Sequence, residues 1–195
     1  MDMKLKLIIT VVLLALFSGV KAQKVAVKTN LVSDVIFSPN LGVEVGVAPR
    51  WTVDVTGQFN AWTLSHDRRW RHWLLQPEVR YWFCDRFAGH FLGAHMHGGQ
   101  YNMGGFNGRL HFLGTDARKL QGVRYQGWFA GLGVAYGYAW ILGRHWNLEA
   151  EFGFGYSYTR YDKFPCAVCG EKIARDKSHH YVGPTKVAIN LVYLF

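Results

Sequence analysis

The last fifteen residues of the chain, 181–195, alternate in character with a period of two. One face of this segment is free of charge and carries Phe195, Tyr193, Leu191, Ile189, Val187, Thr185, Gly183 and Tyr181. The opposite face carries Leu194, Val192, Asn190, Ala188, Lys186 and Pro184. A period of two predicts a β-strand, and a mostly apolar face predicts contact with an apolar medium. If that medium is lipid, the opposite face points inward and holds the polar groups.

The same alternation recurs along the chain and predicts eight strands. They cover residues 24–31, 41–47, 51–62, 73–84, 90–103, 125–142, 146–160 and 181–195. Residues 127–143 are uncharged, but most of their large side chains fall on even positions, which favours a strand over a membrane-spanning helix. The facing of the strand at 90–103 stays open. Pro77 is expected at a β-bulge, because proline cannot donate a hydrogen bond to a neighbouring strand.

The predicted connections alternate between long and short. The long ones are residues 32–40, 63–72, 104–124 and 161–180, and the three between them are short. Small outer-membrane barrels have short turns at one end and longer loops at the other. The 16% aromatic content and 22 glycines also suit strands better than a helical bundle. The sequence therefore predicts an all-β fold, an eight-stranded antiparallel transmembrane β-barrel.

The first 22 residues are typical of a cleaved secretory signal peptide. Lys4 and Lys6 precede an apolar stretch at 7–17, and small residues follow near Ala22. An apolar stretch of this length is too short to span a bilayer, which takes about 20 residues. We expect a signal peptide at 1–22 and one barrel domain at 23–195.

Eight charged residues fall on the inward faces of the predicted strands. They are Lys28, Glu44, Asp54, Glu78, Arg80, Glu149, Glu151 and Lys186. An eight-stranded barrel is only wide enough for side chains to fill it. We therefore expect these charges to pair in an internal network, and we expect no open pore. The several carboxylates would also allow a catalytic pair, an interpretation that we disfavour.

The predicted long loops are basic. The formal net charge of the chain is +9, and the signal peptide contributes two of these charges. The candidates for surface binding are Arg68, Arg69, Trp70, Arg71, Arg118 and Lys119. Arginine suits phosphate contact, so the expected partners are outer-membrane lipid and the phosphates of lipopolysaccharide. A host polyanion or a surface protein is the alternative, and nucleic acid is not expected. Trp73 is expected in an aromatic belt at the lipid boundary, and Trp70 belongs either to that belt or to a sugar-stacking site.

The three cysteines predict at most one local disulfide. Cys166 and Cys169 are close enough in sequence to pair, and a secreted setting permits the bond. The alternative is a zinc site with His179 and His180, a weaker interpretation of a single C-x-x-C. Cys84 is expected to be unpaired. We predict no metal and no cofactor.

A hydrolase set can be imagined from His95, His97, Ser157 and Asp162. Such a set needs its nucleophile within hydrogen-bond reach of a base. The chain contains no G-x-S-x-G motif. We therefore predict no catalytic residues.

Several short segments resemble a known family. They are Lys28-Thr29-Asn30-Leu31, Pro39-Asn40-Leu41-Gly42-Val43-Glu44, Gln76-Pro77-Glu78-Val79-Arg80-Tyr81-Trp82, His90-Phe91-Leu92-Gly93, Asp162-Lys163-Phe164-Pro165-Cys166-Ala167-Val168-Cys169-Gly170 and Gly183-Pro184-Thr185-Lys186. Together they resemble small outer-membrane proteins of Bacteroidota that form a domain of unknown function. The terminal Phe195 likewise resembles the C-terminal signal of outer-membrane barrels. The resemblance implies an OmpA/OmpX-like architecture and, for some members, genes near fimbrial genes. It implies no activity.

The sequence thus favours a non-enzymatic outer-membrane β-barrel with basic extracellular loops, acting in surface binding, envelope integrity or fimbria-associated assembly. A fimbrial or other surface protein is then a possible partner. One alternative is a barrel enzyme that modifies lipid A. The other is a soluble periplasmic barrel that binds a ligand in its interior.

Overall fold

The structure is a computed structural model that describes residues 25–64, 68–104, 111–112, 115–116, 123–165 and 172–195. The signal peptide predicted at 1–22 lies outside these residues. Eight long strands form one closed sheet: β1 (Val25–Asn30), β2 (Asn40–Ala48), β3 (Trp51–Leu64), β4 (Arg68–Trp82), β5 (Gly89–Gly104), β8 (Arg124–Ile141), β9 (Trp146–Phe164) and β10 (Ala174–Leu194). A separate pair consists of β6 (His111–Phe112) and β7 (Thr115–Asp116), and one short helix, α1, spans Leu31–Val35.

The sheet closes on itself between its first and last strands. Every neighbouring pair around the ring is antiparallel, and β10 pairs with both β9 and β1. The amide of Phe195 also donates to the carbonyl oxygen of Val25 at 3.0 Å. The prediction of an all-β fold with eight antiparallel strands is therefore confirmed. In the described part of the chain, no helix has the length and apolar character needed to cross a membrane.

The barrel is apolar outside and largely polar inside. On the outer surface, Leu132, Val134 and Phe152 are 63%, 65% and 55% exposed. Among the described residues, buried polar and charged side chains outnumber buried apolar ones. This arrangement is the reverse of an ordinary water-soluble domain, in which the apolar side chains are the buried ones.

Glycines on one strand leave room for large inward side chains on the next. In the β5–β8 register, Phe91 lies opposite Gly137, His95 opposite Gly133 and His97 opposite Gly131. A Cβ atom added at any of these glycines would overlap the facing ring. The pairing settles the facing of β5, which the sequence left open: Phe91, His95 and His97 point inward.

We expect Gly131→Ala to destabilise the barrel by about 1–3 kcal/mol, because the added methyl group overpacks the interior. It would overlap both the Tyr156 carbonyl oxygen and the His97 ring. The matched control is Gly57→Ala, since a Cβ at Gly57 meets no atom within 4 Å. Urea titrations of both variants in detergent check this prediction. Equal unfolding midpoints for the two variants would contradict it.

Two predicted loops are shorter than expected, because the strands continue into them. Residues 63–72 were expected to form a loop, but β3 runs to Leu64 and β4 begins at Arg68. Residues 161–180 were also expected to form a loop, but β9 ends at Phe164 and β10 begins at Ala174. Polar residues replace apolar ones on the outer face there, so the sequence pattern fades while the backbone pairing continues.

The register contains an irregularity at Pro184 rather than at Pro77. The β9–β10 pairing shifts between Pro184 and Lys186, whereas the β3–β4 pairing passes Pro77 without a shift. The β4–β5 pairing is interrupted at Gln76 and Pro77 but resumes in the same register, so no extra residue is inserted there. The prediction of a bulge at Pro77 is wrong. The shift also reverses the facing upstream of it, so that Gly183 is buried and Val182 and Pro184 are exposed. The outward facing predicted for Gly183 is therefore wrong as well.

Candidate functional site

The end of the barrel with the short turns is filled by apolar side chains. Trp82 lies at the centre, with ring centroids 4.7 Å from Phe91 and 6.1 Å from Phe87. Its indole nitrogen donates to Thr52 Oγ1 at 2.9 Å. Cys84 lies exposed in the neighbouring turn and is a free thiol. This apolar layer lies between the short turns and the charged residues of the interior.

Arg80 is the centre of the charged layer next to that apolar layer. Its guanidinium contacts Glu78 at 2.7 Å, Glu44 at 2.9 Å, Glu149 at 3.0 Å and Glu151 at 2.6 Å. All five side chains are at most 2% exposed. The planar, multi-donor guanidinium of arginine is suited to this role, because it can hold several carboxylates in fixed directions.

Two lysines complete the layer on either side of Arg80. Lys28 contacts Glu44 and lies 3.5 Å from Asp54. Lys186 contacts Glu78 and lies 3.0 Å from Glu151. The structure therefore joins all eight inward charges named from the sequence into one network, with five carboxylates around three cations.

This network is built to hold strands together. Its members come from β1, β2, β3, β4, β9 and β10, and every ion pair except Arg80–Glu78 joins two different strands. The Phe91 ring also lies 4.5 Å from the guanidinium carbon of Arg80. Burial at this depth leaves the carboxylates without access to a substrate at the surface. We interpret the cluster as a structural element of the barrel.

The imagined hydrolase residues are divided between two places. His95, His97 and Ser157 are buried inside the barrel, and His95 Nε2 lies 2.9 Å from Thr185 Oγ1. Neither ring nitrogen of His97 nor Ser157 Oγ has a hydrogen-bond partner among the described residues, so no nucleophile–base pair forms there. Asp162 lies near the end of β9, where it accepts from Lys172 at 2.6 Å. The sequence alone did not predict that the two histidines point inward. The glycines that face them on β8 were the sequence signal that could have indicated it.

The end of the barrel opposite the short turns carries charged side chains on its outer surface. Arg160 pairs with Asp176, and this contact lowers the pKa of the Asp176 carboxyl below its ordinary value. Arg71, Arg175 and Lys177 are exposed at the same end. These residues form the upper rim, meaning the described outward residues above the aromatic side chains Trp73, Trp128 and Tyr156.

The remaining surface candidates are placed only in part. Trp73 is exposed, whereas Trp70 is partly buried with its ring 5.8 Å from that of His72. Arg68 and Arg69 lie in β4, but their side chains are not described. Arg118, Lys119, Cys166 and Cys169 lie outside the described residues.

The described residues offer no cluster of ligands for the zinc site considered above. His180 Nδ1 lies 2.5 Å from the Tyr156 hydroxyl on the outer surface. Within the described residues, no group of three or more histidine, cysteine, aspartate or glutamate side chains is arranged to hold a metal ion.

A family model described as "Protein of unknown function (DUF3575)" matches residues 8–195, a range that includes every strand of the barrel. The description assigns no activity to the family. No curated protein matches the chain.

Proposed function

The chain belongs to the DUF3575 family of proteins of unknown function, and we propose that it is a non-enzymatic outer-membrane β-barrel whose basic rim binds anionic groups at the cell surface. The observation that carries this proposal is the closed barrel with an apolar outer face and a charged interior. In lipid, a closed barrel satisfies its own backbone hydrogen bonds and exposes no sheet edge within the hydrocarbon.

The height of the apolar face supports a membrane location. On β9, exposed aromatic residues stand at Trp146 and again ten residues later at Tyr156. At about 3.3 Å per residue and a tilt of about 40°, these rings are about 25 Å apart along the barrel axis. Outer-membrane barrels carry an apolar band of about this height between two aromatic girdles. Trp140 and Trp128 are similarly exposed towards the two ends of β8.

The distribution of charge supports the direction of insertion and the kind of partner. Arg71, Arg175 and Lys177 are exposed at the end opposite the short turns, where the sequence also places its basic loops. The phosphates of lipopolysaccharide are the anionic groups nearest to that end of an outer-membrane protein. A single ion pair between an exposed basic residue and a phosphate is weak, so we infer that several basic residues act together. The resemblance to proteins encoded near fimbrial genes adds fimbria-associated assembly as a biological setting, and envelope integrity is a second setting that suits a surface-binding barrel.

Cysteine labelling in intact cells tests the location and the direction of insertion. In a Cys166→Ser/Cys169→Ser background, we expect Ser178→Cys at the exposed rim to react with a membrane-impermeant maleimide. Cys84, exposed at the opposite end, should react only after the outer membrane is permeabilised. Labelling of Cys84 alone in intact cells would contradict the direction of insertion. Labelling of neither cysteine until permeabilisation would contradict surface exposure.

The basic cluster at the start of β4, which includes the rim residue Arg71, is tested by the joint substitution of Arg68, Arg69 and Arg71 with Ala. We expect binding to lipopolysaccharide-containing vesicles to weaken by about tenfold or more, because each basic residue near an anionic membrane contributes about 1 kcal/mol. Added salt should reduce the difference between the variant and the wild type. The control replaces Arg50 and Arg144, which are exposed at the opposite end. Binding that the triple substitution leaves unchanged would sink the proposed role of the rim.

A further inference from the structure

A groove crosses the outer surface at Gly57. In the sheet register, Gly57 lies between Leu41 on β2 and Leu75 on β4. A Cβ atom added at Gly57 would meet no atom within 4 Å, so the space above this residue is open. Its neighbours Leu41 and Leu75 are 60% and 48% exposed. The missing side chain therefore leaves a slot in an otherwise continuous apolar surface.

The slot is an open surface depression with apolar walls. Phe59 and Trp73 form a cross-strand pair directly above Gly57, and Pro39 from the segment after α1 lies beside them. The cavity has a volume of about 440 Å³, and its lining is almost wholly apolar. Adjacent strands are about 4.8 Å apart, so the distance across the slot from β2 to β4 is about 10 Å. That width suits a single linear hydrocarbon chain.

A cation lies directly above the slot. Arg71 pairs with Ala61 on the next outward row above Phe59 and Trp73, about 7 Å further along the strands. Its side chain is exposed, and the residue paired with it on β3 is the small Ala61. The order from bottom to top is thus an apolar slot, an aromatic pair and a guanidinium. A phosphorylated lipid has the same order from its acyl chain to its head group.

We propose that this groove is a binding site for a phosphorylated membrane lipid, with one acyl chain in the slot at Gly57 and the phosphate at Arg71. This inference rests on the proposed function, since it requires the outer face of the barrel to be in lipid. It goes further by assigning one position on the wall to one lipid molecule. Charge complementarity selects the occupant, because guanidinium binds phosphate well and the slot accepts only apolar matter.

Native mass spectrometry of the full mature protein in detergent, titrated with monophosphoryl lipid A, tests the site. We expect one lipid to stay bound to the wild type. Gly57→Leu places an apolar side chain in the slot, starting from a Cβ that meets no atom within 4 Å, and should weaken binding by about tenfold. Arg71→Gln should weaken binding by about fivefold and remove the preference for phosphorylated over unphosphorylated lipid. The matched controls are Ala130→Leu, which adds the same bulk on the outer face of β8, and Arg144→Gln, which removes an exposed guanidinium at the opposite end of the barrel.

Several outcomes would overturn the inference. Unchanged lipid binding by Gly57→Leu would show that the slot holds no acyl chain. Displacement of the lipid by inorganic phosphate alone would show that the site recognises free phosphate. An equal loss of binding with Ala130→Leu would show that the lipid binds unspecifically around the barrel. Binding of a second copy of the chain, or of a peptide, in preference to lipid would show that the groove is a protein interface. Each variant is first checked for insertion into lipid vesicles, so that a failure of the proposed membrane location is recognised separately.

Discussion

Replacing Arg80 with Met is expected to lower the free energy of unfolding by about 3–5 kcal/mol. The guanidinium contacts Glu44, Glu78, Glu149 and Glu151, and all of these side chains are buried. Removing one partner of a buried ion pair is strongly destabilising, because the remaining charges are left uncompensated. In this case four carboxylates lose their shared partner, and only Lys28 and Lys186 remain to offset them.

The loss is measured by urea titration of the refolded protein, with tryptophan fluorescence as the signal. Arg80→Lys keeps the charge but loses the planar, multi-donor geometry, so we expect an intermediate loss of stability. Arg144→Met removes an exposed arginine from a short turn and should leave the midpoint nearly unchanged. If Arg80→Met unfolds at the same urea concentration as the wild type, the charged layer does not hold the barrel together.

Replacing Phe152 with Arg is expected to destabilise the barrel in lipid by about 2–4 kcal/mol, the cost of a cation near the bilayer midplane on the outer face of a barrel. Phe152 is 55% exposed and lies between Trp146 and Tyr156, which mark the two edges of the proposed belt on β9. The prediction separates a membrane protein from a soluble one. On a water-exposed surface the same substitution would change stability by about 0.5 kcal/mol or less.

Two control variants isolate the contribution of the lipid. Phe152→Leu keeps an apolar side chain at the same position and should be nearly neutral. Ser178→Arg introduces the same cation above the belt and should also be tolerated, since Ser178 is exposed at the rim. Unfolding in phospholipid vesicles ranks the three variants. If all three have equal stability, the outer face at Phe152 is not in hydrocarbon.

The alternation of side chains was enough to predict the eight strands, because each outer face keeps its apolar residues for the height of the belt. Above the belt this signal fails. Arg71 and Arg160 are outward residues of strands, but their polarity resembles that of a loop. The sequence therefore underestimated the lengths of β3, β4, β9 and β10. The bulge at Pro184 was missed for a different reason, since only the pairing of β10 with β9 reveals the inserted residue.

The inward charges could be identified from their alternating positions along each strand. The contacts between these charges could not be identified in this way. Arg80 meets Glu149 and Glu151 across 69 and 71 residues of sequence, and the closure of the sheet decides which carboxylates it reaches. The facing of β5 needed information from another strand, because His95 and His97 alternate with small or flexible residues. The groove at Gly57 is also a property of three neighbouring strands, so no single segment of sequence displays it.

Gel mobility of the membrane-extracted protein, before and after boiling in SDS, tests the central claim of a closed membrane barrel most directly. We expect the unboiled protein to be recovered from the outer-membrane fraction and to migrate differently from the boiled protein, because a fully paired barrel resists unfolding by the detergent at room temperature. Recovery in the soluble fraction, with equal mobility before and after boiling, would contradict the account. The interior polar groups around His95 and His97 would then have to be examined as a ligand site of a soluble periplasmic barrel.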